Sequence, residues 1–219
     1  MRDLQRVLSL SALALVTAAT LAAPPAHATP AHATPTHATP THAAPAHAAS
    51  AAGHAGCPSP DGTDVKRSTA GQTDRPPRDG DAALKGVRVD HLPNGFSYGH
   101  VTVDAHDGVS EYSYRWSDNR DDVDRKHRSL WVRVVCWPDA HRLTHLRKAP
   151  LVEGAFSGDE RTVKIGGRQV LARTGDGALG HGRYLGWVER KGTVITVMAS
   201  QPLVPELDKI IKGIRLPRS

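Results

Sequence analysis

Five histidines, His27, His32, His37, His42 and His47, recur at a step of five in an Ala/Thr/Pro-rich stretch. Imidazole suits zinc, copper or nickel, so the repeat is a weak candidate metal binder. Its spacing argues against a preformed site. Proline biases such a segment toward extended polyproline II, in which successive rings stand roughly 15 Å apart at ~3.1 Å per residue. Two rings could share one ion only if the chain bent back, and a plain spacer is the simpler reading. A second pair, His141 and His145, stands at i and i+4, where one helical face would carry both. No third ligand or glutamate base accompanies it, so it reads as surface histidine. Asp118, Asp121, Asp122 and Asp124 lie close together, but without the turn glycine and closing glutamate of an EF-hand loop. Arg120, Arg125, Lys126 and Arg128 neutralise them, as in a solvated loop.

Nucleophilic catalysis needs a nucleophile with a base held beside it. The chain has neither a Gly-x-Ser-x-Gly elbow nor a His-Glu-x-x-His zinc helix. The glycine-rich loop at 175–182 lacks the Lys-Ser/Thr of a phosphate loop, and pairings of His100 or His106 with Asp104 or Asp107 would be ordinary surface contacts. The residues therefore predict no catalytic group and no cofactor. Binding chemistry is better represented. Tyr112, Tyr114 and Trp116 alternate along 109–117 and so share one strand face, and Trp187 lies in a later strand. Packing against a core is the simpler use of these rings. An exposed platform for a glycan or peptide is the binding use, and it makes Tyr112, Tyr114, Trp116 and Trp187 the candidate ligand-binding residues.

The positions of these groups depend on where the chain is folded. Arg2 and Arg6 precede an apolar run over residues 7–23, and Ala26-His27-Ala28 then offers small residues at a cleavage site. This is the pattern of a secretory signal over 1–28, with no membrane span expected after its removal. Residues 29–56 are the Ala/Pro/Thr/His repeat, a disordered stalk with no apolar face. Residues 57–83 read as an irregular segment and 84–219 as the folded domain. Cys57 and Cys136 make an even count in an exported chain, which predicts a disulfide. It would close a loop of about 79 residues, worth roughly 4–5 kcal/mol on a chain-entropy account. Ala55-Gly56-Cys57 imitates the end of a lipobox, but polar, His-rich residues precede it. The formal charge of +6 is scattered rather than blocked. That pattern suits an anionic envelope polymer better than nucleic acid, for which no reading motif is present.

Within the domain, strands are predicted at 98–105 and 109–117, joined through Asp107 and Gly108, and at 130–137, apolar on both faces and therefore central. A short helix is predicted over 140–148. Two hairpins follow: 161–165 returns through Gly166-Gly167 to 168–173, and 183–189 returns through Lys191-Gly192 to 193–199. The last segment, from about Pro205 to Ile214, places Leu207, Ile210, Ile211 and Ile214 on one helical stripe. The expected fold is α+β: a curved antiparallel sheet of about six to seven strands, with the C-terminal helix and the short helix packed on one face.

Four short stretches also resemble a widespread uncharacterised extracytoplasmic domain of secreted proteins and lipoproteins in Gram-positive bacteria, and the stalk, cysteines and high Ala/Pro/Arg usage look actinobacterial. Leu92-Pro93-Asn94-Gly95-Phe96 looks like its LP-x-G-F entry, and Val163-Lys164-Ile165-Gly166-Gly167 resembles its central turn. Gly186-Trp187-Val188-Glu189 resembles its x-W-x-E strand, and 207–214 its closing helix. The resemblance spans about 84–216 and transfers no catalytic residue. It implies a curved antiparallel sheet backed by helices in a sensor or binding role outside the membrane. The combined expectation is a secreted, non-enzymatic binding or accessory domain. Its alternatives are metal binding through the histidine stalk and hydrolysis of envelope material.

Overall fold

The computed structural model describes residues 56–151, 154, 156, 159–175 and 182–217. The signal segment, the histidine repeat and most of the 175–182 loop lie outside the described residues. Order begins earlier than the sequence suggests. Asp61 caps helix α1 (Gly62–Thr69) by accepting from the Thr63 and Asp64 N–H groups at 2.9 Å each. Strand β1 (Thr73–Asp74), helix α2 (Gly80–Ala83) and strand β2 (Arg88–Val89) follow. The segment 57–83 is thus structured, not irregular. It escaped detection because α1 carries no apolar stripe; the residue it buries is Asp64.

Strands β3 (Tyr98–His106), β4 (Val109–Ser117) and β5 (Ser129–Cys136) form one meander. Asp107 and Gly108, both at positive φ, make the tight turn between the first two. Strands β6 (Arg161–Ile165), β7 (Arg168–Thr174), β8 (Arg183–Arg190) and β9 (Thr193–Ala199) form a second meander. Pairing of β5 with β9 joins them in an eight-stranded antiparallel sheet of order β1-β3-β4-β5-β9-β8-β7-β6. That is one more strand than the upper limit expected, because two residues of β1 extend the β3 edge. α1 protects the same edge: Ser68 Oγ accepts from the Val103 N–H at 2.8 Å. Strand β2 lies outside this sheet and pairs with β10 (Ile214–Arg215).

The chain closes with a 3-10 turn (Gln201–Glu206) and helix α3 (Leu207–Gly213). Leu207, Ile210, Ile211 and Ile214 are all buried with Val132, Leu185, Ile195 and Val197 on one sheet face. The predicted 140–148 helix is a 3-10 turn (Leu143–Lys148), and it packs on the opposite face, where Leu146 meets Val135, Leu171, Tyr184 and Val194. The helical segments therefore divide between two faces rather than sharing one. Leu143 and Leu146 are too few to show in sequence which side they cover. Cys57 and Cys136 are joined by a disulfide.

Strand β7 holds α3 in place. Arg168 donates to the Ile211 and Ile214 carbonyls at 2.7 Å each, satisfying the end of α3 with a cation. At the helix start, the Gly166 N–H donates to Asp208 at 2.9 Å, a bond that holds the Asp208 carboxyl below its ordinary range. Gly166 has φ +59°, and a Cβ there would stand 2.7 Å from Ile211 Cγ2 and 2.9 Å from the Lys212 nitrogen. Gly167 has φ +81° with open space around it. Gly167→Ala should therefore cost only the backbone term, about 1 kcal/mol. Gly166→Ala should cost at least about 1 kcal/mol more, because α3 must move. Denaturant unfolding of the two variants measures the difference, and equal losses would remove the claimed contact.

Candidate functional site

The four candidate ligand-binding rings are core residues. Trp116 and Tyr114 are 0% exposed, Tyr112 and Trp187 2%. Their polar atoms are spent inside the fold. Tyr112 OH donates to Asp64 Oδ2 at 2.5 Å, which fastens α1 to the sheet; burial raises this phenol above its usual range. Tyr114 OH donates to Asp74 at 2.8 Å, and Trp116 Nε1 to the Arg78 carbonyl at 2.9 Å. Arg78 ties Asp64 to Asp74 at 2.8 and 3.0 Å, beside an Arg67–Asp74 ion pair. Trp187 Nε1 donates to Glu189 at 2.5 Å, and the same carboxylate accepts from Arg168 at 3.1 Å. Glu189 has no cross-strand partner at the β8 irregularity between Val188 and Arg190. An exposed platform at these four residues is excluded by their burial.

A second buried network sits on the other face. Arg133, on the central strand, donates to Glu111 Oε2 at 2.7 Å, Thr196 Oγ1 at 3.0 Å and Tyr184 OH at 2.9 Å. Its guanidinium lies 5.0 Å from the Trp131 ring centroid. Glu111 continues to His106 at 3.1 Å, which leads the chain of contacts to the surface. Tyr184 stacks on Phe156 at 4.3 Å, and its burial pushes the phenol upward. The sequence signal for Arg133 was a single charge inside an otherwise apolar strand. Such a residue must be paired when buried.

The 118–128 loop is held by an arrangement the sequence reading did not single out. Ser117 Oγ lies 3.2 Å from His127 Nε2, and Asp118 Oδ1 lies 2.9 Å from Nδ1. Serine, histidine and aspartate thus stand in the order of a hydrolase triad. The geometry does not carry that chemistry. Asp118 is off the line of a hydrogen bond to Nδ1, Asp122 also approaches Nε2 at 3.1 Å, and Ser117 is 0% exposed. Asp118 instead accepts from the Arg120 and Arg128 N–H groups, closing the loop on itself. Asp122 pairs with Arg115, and Asp118 and Asp124 with Arg120; Asp118 and His127 are buried, so the loop is solvated only in part.

The accessible chemistry gathers at the end of the sheet near Trp137. Two recesses meet at His141. One, of about 530 Å³, is lined by Arg142, Arg168, Trp187, Glu189, Arg190 and Lys191 among others. The other, of about 510 Å³, is lined by Trp137, Asp139, Thr144, His145 and Lys148. Basic side chains outnumber carboxylates around the pair. Arg168 is neutralised by Glu189, whereas Arg142, Lys148 and Lys191 are exposed and make no ion pair among the described residues. Among the described residues, no group of three His, Cys, Asp or Glu side chains is placed to hold a metal ion. No helix there is long and apolar enough to cross a membrane. Comparison with family models, curated proteins and solved structures yields no match.

Removing one member of the Arg133–Glu111 pair leaves a buried charge uncompensated. Arg133→Met should therefore lose about 3–5 kcal/mol, and adding Glu111→Leu should recover most of it. Urea denaturation of both variants measures this; a double variant no more stable than the single one would show that the ion pair is not what holds Arg133.

Proposed function

We propose that this chain is a secreted, non-catalytic binding module whose ligand is an anionic polymer of the cell envelope. The carrying observation is the pair of recesses around His141, where Arg142, Lys148 and Lys191 remain uncommitted beside the half-buried indole of Trp137. Guanidinium and ammonium groups recognise phosphate or carboxylate along a polymer, and an indole covers the apolar face of a sugar or glycerol unit. Export fits the signal-like N-terminus and the Cys57–Cys136 disulfide, which is at home in an oxidising compartment. The resemblance to an extracytoplasmic domain points the same way. A non-catalytic role is supported by the buried, misaligned Ser117–His127–Asp118 set.

The binding surface in this reading is the rim of the 137–148 segment and the β8–β9 turn, not the aromatic strand β4. Polyglycerol phosphate should bind, with affinity falling steeply between ~50 mM and ~300 mM salt; neutral dextran should not. Arg142→Glu with Lys191→Glu should weaken binding about tenfold or more, through reversed charge at exposed positions that leaves stability within about 0.5 kcal/mol. Calorimetric titration decides it. Undiminished binding by the double variant, or equal binding of dextran, would overturn the assignment.

A further inference from the structure

We propose that His141 and His145 form a surface site for one divalent transition-metal ion of the zinc, nickel or copper class. The pair is separate from the histidine repeat, and the inference does not rest on the polyanion reading. Sequence spacing would join the two rings through one face of an α-helix. That route is closed: Arg142 is extended (φ −142°, ψ 154°) and the segment from Leu143 is 3-10. The rings meet by another path. The chain turns where Ala140 N–H donates to the Trp137 carbonyl at 2.9 Å, and His145 reaches back until its Nδ1 lies 2.6 Å from the Asp139 carbonyl. At that distance Nδ1 carries the proton and donates. The 3.3 Å approach of the His141 backbone N–H to the same nitrogen is then a contact without a lone pair to accept it. Held in this tautomer, His145 presents a bare Nε2. A far nitrogen donating to a backbone carbonyl is the arrangement that orients and strengthens a metal-binding imidazole.

The second ring stands close enough. The centroids of His141 and His145 are 5.9 Å apart, with planes at 77°. Two imidazoles sharing a tetrahedral ion through bonds of ~2.0–2.1 Å have centroids roughly 5 Å apart. The observed separation exceeds that spacing by under about 1 Å, a gap that rotation of the exposed His141 side chain can close. Both rings line the recess of about 510 Å³, which has room for water in the remaining coordination positions. Asp139 on its wall favours a cation and Lys148 opposes one, so the two imidazoles decide the affinity.

Ni²⁺ added to the full chain tests this through its paramagnetic broadening of amide signals in ¹H–¹⁵N spectra. Signals from residues 137–148 should broaden at substoichiometric metal. His141→Ala and His145→Ala should each weaken that local response about tenfold or more, because two-point attachment is lost. His141→Ala removes only an exposed ring, so its effect is not one of folding, and unchanged sheet signals verify that. Broadening confined to the histidine repeat, or a response at 137–148 that survives both substitutions, would overturn the site.

Discussion

Strands β5 and β9 pair over seven residues, from Leu130 opposite Ala199 to Cys136 opposite Thr193. This ladder unites a meander built from residues 98–136 with one built from residues 161–199. Each meander alone would leave a long apolar strand unpaired. β5 has Leu130, Val132 and Val134 on one side and Val135 on the other; β9 has Ile195 and Val197 against Val194. Such edges template aggregation. Pairing them converts the two most exposed liabilities of the chain into the centre of the sheet. Each strand then gains hydrogen bonds on both sides and burial on both faces.

The two faces are used differently. The face toward α3 is almost wholly apolar, and its polar atoms appear only at the margins, where Tyr112, Tyr114 and Trp116 reach past the core to hold α1 and the 74–78 segment. The other face carries Arg133 at its middle, neutralised by Glu111 and surrounded by Thr196, Tyr184 and Trp131. A buried ion pair of this kind contributes little net stability compared with well-packed hydrocarbon, but it penalises any register that separates its members. Along a strand as rich in valine as β5, one charge that must find Glu111 distinguishes the correct pairing.

The strands were legible because their signals are local. Gly166-Gly167, Asp107-Gly108 and Lys191-Gly192 mark the hairpins, and β5 and β9 are apolar on both sides. The closing stripe of Leu207, Ile210, Ile211 and Ile214 was legible for the same reason, although its first turn proved 3-10. α1 was not legible, because its attachment is polar and long-range: Asp64 to Tyr112 spans 48 residues. The face chosen by the 143–148 turn depends on Leu171, Tyr184 and Val194, far from it in sequence. At the candidate site, the basic residues could be read from sequence but not their convergence. From spacing alone His141 and His145 read as surface histidines on a helical face; a backbone carbonyl and a tight turn, not an α-helical repeat, bring the rings together. Tyr112, Tyr114 and Trp116 were placed on the correct strand face, and that placement is itself what buries them in the core.

The disulfide has a mechanical consequence. Cys57 stands at the start of the described fold, yet Cys136 lies at the end of the innermost strand. Tension applied through the preceding chain would bypass α1, β1 and the β3 edge, because the covalent link delivers it straight to β5. There it would act on a strand held on both sides by β4 and β9, so two ladders resist it together. A tether attached in this way can haul on the domain without peeling it open from its edge.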